Sequence, residues 1–173
     1  MSNLTYKLAT LGDFEDFYRI KCDKVNIAWS GFTQAPEKKS FYEWYQRQLA
    51  SDHRWIYLVY EGQKCCAFFY VDKLKDGNFE AASSGVLSDF MGKGIGTYAL
   101  AMQIFEIQLV TIGEIVLWVS DKNIASYKRY EKLGFIRMDE FEIRNLPLLG
   151  GEHKFYKWIK TKCCLLYTSD AAD

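Results

Sequence analysis

The sequence is short of several things, and each shortage removes a class of protein. Its 173 residues include only two prolines and two histidines. With no low-complexity run beside them, collagen-like, mucin-like and linker chains are excluded. An excess of either charge is also missing: 22 Lys+Arg stand against 22 Asp+Glu, for a formal net charge of +0. Attachment to nucleic acid or to an anionic membrane by bulk charge needs a cationic excess, so neither partner is expected. No apolar run nears the roughly 18 uninterrupted residues that would span a bilayer. The opening residues, Met1 to Leu8, lack the basic stretch and apolar run of a signal peptide. Cysteine is limited to Cys22 and the doublets Cys65-Cys66 and Cys163-Cys164. Adjacent cysteines are badly placed to bond each other, and no CxxC faces a second CxxC or an HxxxH. No metal is expected, and a reduced, cytoplasmic protein is the expectation.

Apolar residues are plentiful, with 49% hydrophobic and 17% aromatic. That is enough for one packed domain, expected over residues 1–163. The final run Cys164-Leu-Leu-Tyr-Thr-Ser-Asp-Ala-Ala-Asp173 resembles one reading frame of a transposase-end sequencing adapter. A short native tail is the other reading.

Periodicity yields an alternating series of elements. Leu4 to Thr10 reads as a strand, and Asp13 is placed to cap a helix reaching about Cys22. Lys24 to Pro36 reads as irregular, and Pro36 as the start of a second helix. Strands are predicted over 55–60, 64–71 and 79–87, with turns at Glu61-Gly62 and Lys75-Asp76-Gly77. A helix over 94–112, a uniformly apolar strand over 114–119 and a helix over 121–133 follow, the helices ending at Gly113 and Gly134. Two late strands, 135–143 and 153–159, close the series. The order predicts a mixed α/β sheet with helices on both faces.

Met91-Gly92-Lys93-Gly94-Ile95-Gly96-Thr97 joins a predicted strand to a predicted helix. Glycines there allow a sharp turn, and the unpaired amides of a helix N-terminus suit an anion such as pyrophosphate. A P-loop would need Ser or Thr directly after Gly92-Lys93, where Gly94 stands instead. A Rossmann fingerprint would need G-x-G-x-x-G and an acidic ribose clamp, and neither is present. The loop resembles motif A of the GNAT superfamily of N-acetyltransferases, Q/R-x-x-G-x-G/A, with Met91 where Gln or Arg is usual. Asn123-Ile-Ala-Ser126-Tyr-Lys-Arg-Tyr130-Glu-Lys132-Leu-Gly134-Phe135 is similar to the family's motif B, N-x-x-A/S-x-x-x-Y-x-K-x-G-F. Asn123 and Tyr130 lie two helical turns apart, about 10 Å along one face.

The resemblance implies a GNAT-type fold with a mostly antiparallel central sheet, and acetyl-CoA as co-substrate. It implies a coenzyme site formed by Gly85, Val86, Leu87, Met91, Gly92, Lys93, Gly94, Ile95, Gly96, Thr97, Asn123, Ser126 and Tyr130. In such a site the fourth and fifth strands part, and the amides of Gly85, Val86 and Leu87 are candidates for polarising the thioester carbonyl. Tyr130 matches the tyrosine that protonates the departing thiolate. Glu80 lies where several members carry a carboxylate acting through water on the acceptor ammonium. Both have plainer readings, Tyr130 as a core aromatic and Glu80 as a solvated acid, as does Glu106. His53 and His153 read as surface or turn residues. Lys93, Lys122, Lys128, Arg129 and Lys132 cluster around the two motifs, facing coenzyme phosphates or only solvent. Trp29 and Phe32 are candidates for the acceptor wall. The implied activity is acetyl transfer to a small-molecule amine or a peptide N-terminus, by a monomer or homodimer. A non-catalytic acyl-CoA-binding module is the alternative.

Overall fold

The computed structural model describes residues 3–111 and 113–161; the adapter-like run lies outside them. β1 (Leu4–Leu8) leads into α1 (Phe14–Lys21), α2 (Lys24–Trp29) and α3 (Lys38–Leu49). β2 (Arg54–Glu61), β3 (Lys64–Lys73) and β4 (Phe79–Val86) follow. α4 (Ile95–Val110), β5 (Ile115–Ser120), α5 (Ile124–Lys132), β6 (Ile136–Leu146) and β7 (Gly151–Lys160) complete the series.

The stretch expected to be irregular contains α2. Asp23 starts it by accepting a hydrogen bond from the Val25 amide at 2.9 Å. Only six residues are helical, fewer than two turns, so no apolar period could reveal them in the sequence. α3 begins slightly later than expected, because Glu37 accepts from the amides of Lys39 (2.9 Å) and Ser40 (2.7 Å).

Seven strands form one sheet in the order β1-β2-β3-β4-β5-β7-β6, antiparallel everywhere except β4 against β5. Helices cover both faces, as expected. On one face Phe17, Ile20 and Tyr45 pack against Leu58, Phe68 and Tyr70. On the other, Ile95, Ala99, Leu100, Ile104 and Ile107 of α4 pack against Ala67, Phe69, Leu117 and Trp158. Cys65 belongs to the first core and Cys66 to the second, since successive strand residues point to opposite faces. Both are free thiols. Glu106 is no solvated acid: it accepts hydrogen bonds from Tyr6 (2.6 Å) and Tyr57 (2.9 Å), joining α4 to β1 and β2.

Two side chains tie the α1–α2 corner to the end of β4. Asn26 donates from Nδ2 to the carbonyls of Ile20 (3.0 Å) and Val86 (3.1 Å). Asp23 accepts from the Ser88 amide (3.0 Å) and hydroxyl (2.7 Å) as well as from Val25. Burial disfavours the Asp23 anion, but the hydrogen bonds from Ser88, Val25 and Asn26 outweigh it and hold its pKa below the usual carboxylate range. Asp23→Ala should therefore cost about 0.5–2 kcal/mol at neutral pH. A carboxyl with a depressed folded pKa contributes stability above its unfolded pKa and loses it as pH falls through the folded one. In urea titrations, the gap between the parent and Asp23→Ala should thus close on acidification. A gap that stays constant into strong acid would show that the charge of Asp23 contributes nothing.

Candidate functional site

The central feature is a fork in the sheet. β5 pairs with β7 along its whole length, from Ile115↔Lys160 to Ser120↔Phe155. With β4 it shares only two pairs, Phe79↔Ile115 and Glu80↔Val116. Beyond Glu80 the two strands part, and a cleft of about 640 Å³ opens between them. Its β4 wall is Ala82-Ser83-Ser84-Gly85-Val86, and Trp118, Asn123, Tyr130 and Phe155 stand on other sides. The small residues of β4 keep the cleft open. Gly85 in particular has no room for a Cβ, which would come within 2.6 Å of the Phe68 ring and crowd the Asn26 amide.

Which amides face the cleft follows from register. β3 and β4 pair Ala67↔Val86 and Phe68↔Gly85, and the Leu87 amide donates to the Cys66 carbonyl at 2.9 Å. In an antiparallel ladder, bonded and non-bonded pairs alternate, so Gly85 also bonds toward β3 while Val86 points away from it. The Val86 carbonyl, reached by Asn26, confirms that direction. Of the three amides expected to serve, only that of Val86 is directed away from β3. Leu87 is instead packed into the α1–α3 core.

The glycine loop sits at the mouth of the cleft. Gly92 and Gly94 have φ of 78° and 81°, the left-handed region that glycine alone enters cheaply. Nothing lies within 4 Å of where a Cβ would stand on either. Gly94 immediately precedes α4, whose first amides, Ile95 and Gly96, have no helical carbonyl behind them. Met91, Thr97 and Ser126 also line the cleft. Of the five clustered basic residues only Arg129 lines it, with its guanidinium 3.4 Å from the Cβ position of Gly96. Lys93 folds over the Phe90 ring, its Nζ 4.8 Å from the centroid, and Lys122 donates to the Glu152 carbonyl at 3.4 Å. Lys128 and Lys132 are exposed.

Tyr130 projects from α5 into the same cleft and packs against Phe135 and Trp158. Burial raises its pKa, while Arg129 and a hydrogen bond with Ser126, one turn earlier, pull the other way. Glu80 stands at the point where the fork begins. Its neighbour across β3 is Asp72, whose own neighbour on β2 is Arg54. Arg54 holds Asp72 by two bonds, at 2.7 and 2.5 Å, and among the described residues Glu80 forms no ion pair. Burial first, and Asp72 second, push the Glu80 carboxyl above the usual range, against an opposing pull from Arg144. This is no freely solvated acid.

Trp29 reaches the cleft, whereas Phe32 lines an adjoining cavity that shares Glu80, Ala82 and Ser83 with it. His153 is not a surface residue: it is buried, with Nδ1 against the Ser120 hydroxyl (2.9 Å) and Nε2 against the Leu149 carbonyl (3.0 Å). The carbonyl can only accept, so Nε2 carries a proton. His53 is exposed beside Ser51. Trp118, Asn26, Arg144 and Phe155 were not marked by any sequence motif. Each reaches the site through long-range strand pairing or packing. Among the described residues no cluster of His, Cys, Asp or Glu is arranged to hold a metal ion.

Comparison with known proteins gives consistent results. A search of curated protein sequences finds no match. Among solved structures, a ribosomal-protein-alanine N-acetyltransferase from Brucella melitensis superposes with a TM-score of 0.73 at 15% identity, covering 91% of this chain and 99% of that one. A spermidine N-acetyltransferase from Vibrio cholerae, in complex with CoA and spermine, gives 0.75 at 13% identity, covering 91% and 94%. A Salmonella typhimurium structure with its cofactor acetyl-CoA gives 0.68 at 16% identity, covering 89% and 92%. At such identities these likenesses establish the fold. The sequence profile of the Acetyltransferase (GNAT) family matches residues 23–135, which contain both the glycine loop and the Asn123–Phe135 segment. The chain belongs to the GNAT acetyltransferase family.

Proposed function

We propose that this chain transfers an acetyl group directly from acetyl-CoA to a primary amine. The observation that carries the reading is the fork: a parted pair of strands, with an outward-facing amide at Val86 on one side and Tyr130 on the other. The residues present fit acetyl-CoA. The open backbone at Gly92, Gly94, Ile95 and Gly96, with Arg129 beside it, suits a pyrophosphate. An extended pantetheine would lie along the unpaired edge of β4.

Acetyl-CoA supplies an activated thioester carbonyl. The Val86 amide is directed to polarise that carbonyl, where negative charge grows during attack. Glu80, with its raised pKa, takes a proton from the incoming ammonium, directly or through water. The Tyr130 hydroxyl stays protonated because it is buried, so it has a proton to give the departing thiolate. Ser126 holds that hydroxyl from one turn away.

Two sets of variants test this reading. Gly94→Val should abolish coenzyme A binding in calorimetry, since a β-branched residue tolerates φ of 81° poorly and would crowd the loop. Met91→Arg should tighten binding by up to about 1.5–3 kcal/mol, the value of a charged hydrogen bond. Unchanged affinity in both variants would remove the loop from the coenzyme site.

The second set concerns the chemistry. Tyr130→Phe keeps the ring and removes the acidic hydroxyl, so kcat should fall about 10²–10⁴-fold while acetyl-CoA affinity holds. Glu80→Gln should lower activity most where the acceptor is still protonated and recover as pH rises. Normal turnover by Tyr130→Phe at every pH would make Tyr130 a packing residue.

A further inference from the structure

On the α1–α3 face of the sheet lies a cavity of about 560 Å³ that meets the cleft along Glu80, Ala82 and Ser83. Its charges do not balance pairwise. Arg54 is bound to Asp72, and Arg144 is paired with Glu142. Lys21 and Glu80 are left over, and among the described residues neither forms an ion pair with any group. Lys21 reaches only the Ser30 hydroxyl at 3.3 Å and the Phe68 ring, with Nζ 4.9 Å from the centroid. Burial, reinforced by the nearby Arg54 charge, pulls its ammonium down to about 8. A cation left in that state lacks a counter-charge.

A second donor in the same wall is also unsatisfied. Tyr70 is 4% exposed and lines the cavity, and its hydroxyl has no hydrogen-bond partner among the described residues. The groups are contiguous. The Phe68 ring under Lys21 is 5.0 Å from the Tyr70 ring, and the Arg54 guanidinium lies 4.7 Å over the far ring. Desolvation raises the Tyr70 pKa, so the hydroxyl remains a donor. A half-buried ammonium without a counter-charge and a buried hydroxyl without an acceptor call for an anion with at least two lone pairs.

We infer that the acceptor is an aminocarboxylate, whose carboxylate binds Lys21 and Tyr70 while its amine lies at Glu80. The inference rests on the acetyltransferase reading and narrows it. One zwitterion supplies the missing partner to both leftover charges, at opposite signs. A polyamine would bring further ammonium groups against Lys21 and Arg54, and a peptide N-terminus would bring no carboxylate there. Phe32, Phe41 and Trp44 complete the wall, so an apolar or aromatic side chain on that acceptor is favoured.

The test is acetyl-CoA-dependent thiol release against the twenty amino acids, their amides and spermidine. It is paired with calorimetry of the N-acetylated amino acid and its amide on the chain saturated with coenzyme A. At least one amino acid should exceed its amide by about 10- to 100-fold in kcat/KM, as a charged hydrogen bond predicts. Lys21→Met should raise KM for that acid by a similar factor with kcat nearly held, and should erase the preference for acid over amide. Tyr70→Phe should act in the same direction, and product binding should weaken in parallel. Acetyl-CoA affinity should stay unchanged in both variants.

Amides or spermidine serving as well as the acids would overturn the inference and leave the acetyltransferase reading standing. So would a preference that survives Lys21→Met, or acetyl-CoA binding with no amino acid acetylated. A chain that neither binds acetyl-CoA nor releases thiol with any amine would overturn that reading and this inference with it.

Discussion

One constraint organises this molecule: β5 cannot belong fully to both of its neighbours. It is hydrogen-bonded to β7 from end to end, while β4 is bonded to β3, and the two halves of the sheet meet only at Phe79 and Glu80. Past that point each strand follows its own partner, and the twist of the two halves carries them apart. The exposed edge of β4 is the result. Elsewhere an unpaired strand edge is a liability; here it forms the wall of a cleft that Tyr130 and the glycine loop close from the other sides. Were β4 and β5 zipped to their ends, the cleft, the free Val86 amide and the access to Glu80 would all vanish together.

The same junction sets the electrostatics. Arg54, Asp72 and Glu80 form a row across three strands, and an arginine can hold one carboxylate bidentately but not two. Asp72 takes the pair. Glu80 then has burial and a like charge against its ionised form, which brings its pKa toward the range useful for accepting a proton from an ammonium. On the α1–α3 side of the row, Lys21 has burial against its own charge. Among the described residues, Lys21 of α1 and Glu80 of β4 thus line one cavity as leftover charges of opposite sign.

Several residues singled out in the sequence are engaged away from the cleft. Leu87 is as apolar as Val86 and only one residue away, but the ladder alternates, and its amide belongs to β3. Lys93, Lys122 and Lys128 sit in or beside the motifs, but their side chains lean on Phe90, reach the Glu152 carbonyl or face solvent. His153 has the surroundings of a turn in the sequence and proves to be a satisfied core residue, bonded on both ring nitrogens. For Leu87, Lys122 and His153 the outcome depended on a partner distant in the chain: Cys66, Glu152 and Ser120.

The sequence by itself determined the order of the strands and of every helix but α2, the mixed sheet, the glycine loop before α4 and the helix within Asn123–Phe135. These are local matters: a period of 2 or 3.6, a glycine forced to positive φ, and a spacing of seven along one helix face are all read from nearby residues. The resemblance to the family's motifs pointed to Glu80 and Tyr130, and both line the cleft. The tertiary structure alone decided that β4 and β5 part after Glu80, that one amide of three faces the gap, and that Arg54 neutralises Asp72. It alone left, among the described residues, Lys21 without an ion pair and the Tyr70 hydroxyl without a hydrogen bond beside the site. Those outcomes depend on register and on long-range pairing, and neither leaves a trace in the local pattern of the residues involved.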